Sequence, residues 1–282
     1  MPVFYHIADL HLGNPFFNVP QGLRHILQNA QLLTLRKVLD IAKEDGALGL
    51  IIAGDLFDSN LVSRDLVKRV QAMFKKAQIP IYILPGSGDV TDRRPHDALI
   101  PPSVYSDGSG WEEIPNVHIF RDTERGDVFV SEDSSTAIYG KPVIRKGESP
   151  IPHISLKDTP FHIAVVHGDA FKKAYFDREP DYPFTVEELK EAGFSYAALG
   201  HWHNPKIYPS SQREGDFIAA YPGPTQDLSF KDSGGTLIKI NLGERISIET
   251  IRLSEYQFKK IEVEIRNTPE STGEAVKERI SN

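Results

Sequence analysis

Five apolar, strand-like runs in this chain each stop at a short turn that carries aspartate, histidine or both. The turns read Asp9-Leu10-His11, Gly54-Asp55-Leu56-Phe57-Asp58, Pro85-Gly86-Ser87-Gly88-Asp89, His167-Gly168-Asp169 and Gly200-His201-Trp202-His203. In open α/β sheets, ligands gather at the carboxyl ends of strands. A fold that buries the apolar runs side by side would therefore bring these distant polar turns to one rim.

The intervening segments support such a layered α/β fold. Residues 3–8 and 48–53 read as buried strands, and Ile79 to Leu84 as a third. Between them, residues 23–44 place Leu23, Ile26, Leu27, Ala30, Leu33, Val38 and Ile41 at helical spacing, closed by Gly46, and residues 61–77 read as a second helix. Residues 85–115 read mostly as loop, 117–120 and 136–140 as short strands, and 145–160 as a connection. Phe161 to Val166 forms a strand that delivers His167, and Ser195 to Leu199 one that delivers His201. Thr185 opens a short helix, with Glu188 completing a capping box and Gly193 ending it. Residues 216–221, 235–242 and 245–253 read as consecutive strands of an antiparallel second sheet, followed by a strand over 257–265 and a helix over 271–280 that runs to the end of the chain.

Composition narrows the chemistry. The 282 residues contain no cysteine, so any metal must be held by nitrogen and oxygen, and a reducing cytoplasm is the expected compartment. No leader and no apolar run of membrane-spanning length is evident, so no membrane association is expected. The net charge of -7 disfavours nucleic acid on bulk terms without excluding it. The basic pairs Lys75-Lys76, Arg93-Arg94 and Lys259-Lys260 read as solvated surface; Lys172-Lys173, just beyond His167, is the best exception.

Each acidic or histidine turn taken alone has an ordinary reading as a cap, a turn or a core histidine. Their combination is more telling. Residues i and i+2 of an extended segment face one side, so Asp9 with His11, and His201 with His203, can each grip one ion. Asp55 could bridge two cations, and Asp58 could orient a histidine from behind. Imidazole with carboxylate suits manganese, zinc or iron better than magnesium alone, and a metal pair can clamp both oxygens of an in-line phosphoryl displacement. His6, His25, His96, His118, His153 and His162 lack a comparable context and carry no assigned role.

These turns, in this order, resemble those of the calcineurin-like metallophosphoesterase family over residues 3–253. Within it the resemblance is to the SbcD-type DNA double-strand-break repair nuclease subunit, carried by Gly54-Asp55-Leu56-Phe57-Asp58-Ser59-Asn60, Ala198-Leu199-Gly200-His201-Trp202-His203 and Tyr221-Pro222-Gly223-Pro224-Thr225-Gln226-Asp227-Leu228-Ser229-Phe230. The resemblance implies an α/β four-layer α/β/β/α sandwich with two mixed sheets flanked by helices. It implies a nuclease domain over 1–254 and the start of an incomplete capping domain over 255–282. It further implies two divalent ions, with Mn2+ expected and Zn2+, Fe2+ or Ni2+ as substitutes. Asp9, His11, Asp55 and His203 would hold one ion, and Asp55, Ser87, His167 and His201 the other. The implied partners are DNA, an SbcC-type ATPase subunit and a second copy.

The third turn departs from the family pattern. Ser87 stands where the family has an asparagine ligand, and Gly88 where it has the histidine that protonates the leaving group. Asp89, the partner of that histidine, is retained. A positioned general acid contributes about 10²–10⁴-fold, most for an alkoxide leaving group. The expectation is metal binding with feeble nuclease activity. His96 is a weak substitute, since Pro95 intervenes in its loop. A non-catalytic DNA-end or partner-binding homologue, and a phosphoesterase for small nucleotides or phosphoproteins, are the alternatives.

Overall fold

The structure, a computed structural model, describes residues 1–89, 103–171, 179–209, 214–233 and 235–259. His96, Arg93-Arg94, Lys172-Lys173 and the expected helix over 271–280 lie outside them.

The first half alternates strand and helix: β1 (Val3–Ile7), α1 (Gln21–Glu44), β2 (Gly49–Ala53), α2 (Arg64–Ala77), β3 (Ile81–Leu84) and β4 (Val117–Ile119). Then come β5 (Asp127–Val130), β6 (Thr136–Gly140), β7 (Phe161–His167), α3 (Val186–Glu191) and β8 (Tyr196–Gly200). The last strands are β9 (Lys206–Tyr208), β10 (Glu214–Gly215), β11 (Ile218–Tyr221), β12 (Thr236–Asn241) and β13 (Ile246–Arg252). Local chemistry sets several boundaries. Ser63 caps α2 by accepting a hydrogen bond from the Leu66 N–H, and Thr185 with Glu188 forms the expected capping box on α3.

Two sheets result. One has seven strands in the order β10-β13-β12-β1-β2-β3-β4, the other six in the order β5-β6-β7-β8-β11-β9. Both are mixed: β1 pairs parallel with β2 but antiparallel with β12, and β11 pairs parallel with β8 but antiparallel with β9. Phe4, Ile51, Tyr82, Ile163, Val165 and Ile218 belong to the core between the sheets. α1 and α2 cover the outer face of the seven-stranded sheet, and α3 that of the six-stranded sheet. This is the four-layer α/β/β/α sandwich expected above.

Several details differ from the sequence reading. The strands after His203 do not form a sheet of their own: β11 joins the six-stranded sheet parallel to β8, while β12 and β13 extend the seven-stranded sheet beside β1. Alternation marks a segment as a strand but does not name its neighbour. β5, β9 and β10 form where the sequence gives no strand signal. α1 buries Leu27, Ala30 and Val38 of the expected apolar set, but it also buries Gln31 and Thr34, while Leu23, Ile26 and Leu33 are 49%, 42% and 51% exposed. Gln31 is held there by donating to the carbonyls of Leu10 and His11. Residues 257–259, at the start of the last expected strand, are not in a strand. Just before them the Gln226 amide clasps the chain, donating to the Tyr256 carbonyl at 2.6 Å and accepting from the Glu255 and Tyr256 N–H groups.

Candidate metal centre

β1, β2 and β3 run parallel, as do β6, β7 and β8, so the turns that follow them lie at the carboxyl rims of the two sheets. The turns after β1 and β2 are zipped together: the Asp9 N–H donates to the Gly54 carbonyl at 3.0 Å and the His11 N–H to the Asp55 carbonyl at 2.9 Å. The sheets are tied across the rim, where the His201 N–H donates to both carboxylate oxygens of Asp9, at 2.9 and 3.1 Å. Two glycines permit this closeness. A Cβ on Gly54 would overlap the His167 ring, and one on Gly200 would overlap the Ala53 carbonyl. The backbone itself is forced: Asp9, His11, Asp55 and His201 have φ of 53°, 46°, 49° and 102°, a region L-residues rarely enter. Such strain concentrates at functional sites.

The side chains converge in two overlapping groups. Asp9, His11 and His203 each offer a ligand atom within 4.8 Å of the others, and so do Asp9, Asp55 and His167. Asp9, Asp55 and His167 are buried. His167 Nδ1 lies 3.0 Å from the Ala53 carbonyl oxygen, which can only accept. The proton therefore belongs on Nδ1, and Nε2 is left with a bare lone pair 3.5 Å from Asp55 Oδ2. His11 repeats the arrangement. Its Nδ1 faces Asp58 Oδ1 at 3.3 Å and its Nε2 lies 3.6 Å from the same Asp55 oxygen. Both Nε2 atoms are buried without a hydrogen-bond partner. A buried polar atom left unpaired costs about 1–3 kcal/mol. Two such lone pairs aimed at one carboxylate oxygen are chemically suited to a cation.

His203 and His201 stand on the other side. His203 Nδ1 is 3.4 Å from Asp232 Oδ1, and Asp232 Oδ2 is fixed by the Leu228 and Ser229 N–H groups at 2.8 Å. His201 Nε2 is 3.6 Å from Asp169 Oδ2, and Asp169 also accepts from the Trp202 indole N–H and the Asp181 N–H. The His201 ring packs edge-on against His167, centroids 5.1 Å apart, but falls outside both convergent groups. Asp58, Asp169 and Asp232 thus each back one histidine, as the carboxylates behind metal-bound imidazoles do. Sequence reasoning anticipates only Asp58. Asp169 is visible in its turn without a role, and Asp232 has no sequence signal beyond its place just after Leu228-Ser229-Phe230.

The electrostatics follow from crowding. Burial pushes the Asp9 carboxyl above the usual carboxylate range, partly offset by His167 and His203. Burial pushes Asp55 the same way, but His167, His11 and the Gly88 N–H outweigh it and hold it low. Burial pulls the His11 imidazole down, yet Asp58 and Asp55 carry it up to about 9, so without an ion its Nε2 carries a proton that a cation bound there would replace.

The third turn faces the same carboxylate. The Ser87 hydroxyl donates to Asp55 Oδ2 at 3.3 Å and the Gly88 N–H to Asp55 Oδ1 at 2.7 Å. Asp89 is turned inward, accepting from the Phe57 N–H at 2.9 Å and from the Gly86 N–H and the Tyr105 hydroxyl at 2.8 Å. Burial, and then the charge of Asp55, raises its carboxyl to about 6. Its present contacts pin the turn to the β2 loop.

Comparison with known proteins fits this geometry. The calcineurin-like phosphoesterase family model matches residues 2–205. The chain is 27% identical over 286 residues to the uncharacterized metallophosphoesterase YhaO of Bacillus subtilis, covering 95% of this chain and 64% of that protein. It is 27% identical over 294 residues to the DNA double-strand break repair protein Mre11 of Archaeoglobus fulgidus, covering 93% of this chain and 62% of that one. The Mre11 of Aeropyrum pernix is 24% identical over 285 residues, covering 94% of this chain and 64% of that one. The chain thus spans somewhat under two thirds of these relatives' lengths. Among solved structures, TT1561 of Thermus thermophilus shares the fold with a TM-score of 0.50 at 12% identity, covering 89% of this chain and 99% of that one.

Proposed function

Since the chain belongs to the calcineurin-like phosphoesterase family, we propose that it is a two-metal phosphodiesterase acting on DNA, with weak turnover because its leaving-group acid is missing. The observation that carries the reading is the pair of buried, unpartnered Nε2 atoms of His11 and His167, both within 3.6 Å of Asp55 Oδ2. Asp9, His11, Asp55 and His203 would hold one divalent ion. Asp55, His167, His201 and Ser87 would hold the other, with Asp9 close enough to His167 to assist. When bound, such ions neutralise phosphoryl oxygens and align an in-line displacement. Manganese suits this mixed nitrogen and oxygen set.

The chain's own residues do the rest. Asp58, Asp169 and Asp232 fix ring orientation and keep a proton on the nitrogen that faces away from the ion. Asp9 belongs to both convergent groups, while Asp55 Oδ2 lies within 3.6 Å of both His11 and His167 and its ionised form is favoured. Gly88 offers the leaving oxygen only a backbone N–H, and that N–H already donates to Asp55 Oδ1. Esters with acidic leaving groups are therefore the better substrates, and DNA the poorer one. DNA as a substrate rests on the resemblance to break-repair nucleases, as do an SbcC-type ATPase partner and a second copy; a cytoplasmic location rests on the absence of cysteine. Among the described residues no helix is long and apolar enough to cross a membrane.

The Gly88 geometry also favours a second reading, a homologue that binds DNA ends without cutting them. Mn2+-loaded protein assayed on an aryl phosphodiester and on linear duplex DNA separates the two. The nuclease reading expects turnover of both, with DNA lagging, and a rise of about 10²–10⁴-fold on DNA in Gly88→His. A Cβ at Gly88 would lie 2.9 Å from the Asp58 carbonyl and 3.3 Å from the Phe57 carbonyl, so backbone must shift to admit the histidine, and a melting curve should confirm folding. A folded, metal-loaded Gly88→His with no gain on DNA removes the missing-acid assignment. A purified chain that takes up no divalent ion removes the whole reading.

A further inference from the structure

An uncommitted surface lies on the opposite face of the seven-stranded sheet from the six-stranded sheet, between α1 and α2. A groove of about 640 Å³ runs there, along residues 29–43 of α1. At 1.5 Å rise per residue this is about 21 Å, or roughly four helical turns. Among its lining residues Leu39 and Ala77 are buried, Leu32 and Met73 are partly buried, and Leu33 is 51% exposed. Leu23 and Ile26 continue the exposed apolar stripe toward the start of α1. Isolated surface leucines need no explanation, but an apolar stripe along an open groove marks an interaction site.

The rim says what fits. Arg36, Lys43, Arg69 and Lys76 flank the floor, against a single acidic residue, Asp40, on a chain whose net charge is -7. Asp40 approaches Arg36 at 3.9 Å with both side chains largely exposed, too solvated to neutralise it. An apolar floor between two cationic edges is complementary to an apolar face between two acidic edges. A second copy docked groove to groove would set these four cations against their own kind, which disfavours self-association. Nucleic acid would satisfy the cations but would leave the leucine and methionine floor without a partner.

We infer that the α1–α2 groove is a docking site for an acidic amphipathic helix of another polypeptide. Helix-in-groove recognition is read through anchors at i, i+3 or i+4, and i+7. Here those anchors would lie over Leu32, Leu33 and Met73, with Glu or Asp on both flanks meeting Arg36, Lys43, Arg69 and Lys76. The inference is independent of the metal centre.

The test uses the full chain and a fluorescently labelled peptide of about 18 residues, long enough to span the groove as a helix. It carries leucine at those anchor spacings and glutamate on both flanks. Controls are a scrambled peptide of the same composition and a lysine-flanked version. Anisotropy titrations should show binding of the glutamate peptide at least about tenfold tighter than either control, weakening as salt rises. Leu33→Glu should abolish it, and Arg69→Glu with Lys76→Glu should transfer preference to the lysine peptide. Unchanged melting curves would show that the variants fold. Equal binding of the scrambled peptide, or binding insensitive to both variants, overturns the inference. So does a dimer that Leu33→Glu dissociates, which would make the groove a self-interface. So, finally, does duplex DNA binding that the charge reversals remove and the glutamate peptide does not compete.

Discussion

Asp232 stands behind His203 without belonging to the proposed ligand set. It fixes the side of His203 that faces away from Asp9, and its second oxygen is spent on two backbone N–H groups. Asp232→Asn should therefore leave the fold intact but weaken metal affinity by about 10–100-fold, measurable by competition with a chelating dye. Gly200 makes the complementary point. Its missing side chain is what lets the turn after β8 lie against the end of β2, and a Cβ there would overlap the Ala53 carbonyl. Gly200→Ala should cost about 1–3 kcal/mol or more in urea unfolding, because backbone rather than a flexible side chain must move. These two sites show the limit of reading residues in order. The glycine announces itself beside two histidines. The aspartate lies well beyond the histidine it supports, in an ordinary Ser-Phe-Lys-Asp stretch.

At the scale of the element, β1 holds a side chain the chemistry does not use. His6 is fully buried between the sheets, its Nδ1 3.0 Å from the Tyr196 hydroxyl of β8. Burial pulls its imidazole from 6.5 down to about 3. The folded chain thus keeps His6 neutral where the unfolded chain protonates it. Stability is undiminished by this group above about pH 6.5 and falls as pH drops from about 6.5 to about 3. The slope is at most about 1.4 kcal/mol per pH unit. Urea unfolding at several pH values should show that acid limb, and His6→Gln should flatten it. A variant with the same limb as the parent would assign the acid sensitivity elsewhere. The helices carry a different lesson. The apolar spacing of α1 identifies the helix and, through Leu27, Ala30 and Val38, part of its buried face, but it does not show that Gln31 is buried to satisfy the Leu10 and His11 carbonyls beside the site while Leu33 is left at the groove.

Across the whole molecule, the centre is assembled from both sheets. Asp9, His11 and Asp55 come from turns after β1 and β2 of the seven-stranded sheet, and His167, His201 and His203 from the ends of β7 and β8 of the six-stranded sheet. The unfolded chain has no such convergence, so an ion held there stabilises the packing of one sheet on the other. With free Mn2+ at about a hundred times its dissociation constant, stability should rise by about 2.7 kcal/mol. For a chain of this size that is a rise in Tm of about 5 °C, reversed by chelator. An unchanged Tm under saturating Mn2+ would show that the folded chain does not bind the ion selectively.

The order of the five turns, the strand preceding each and the capping box of α3 are all legible in the sequence. Each depends on local rules: an apolar run, a glycine that can turn, a hydroxyl that can cap. The partners are not. Whether β12 lies beside β11 or beside β1, why Gln31 of α1 is buried, and which carboxylate stands behind each histidine depend on contacts between segments far apart in the chain. Such contacts are chosen by how two sheets pack and by which buried polar atoms must be satisfied, and no window of neighbouring residues records that choice.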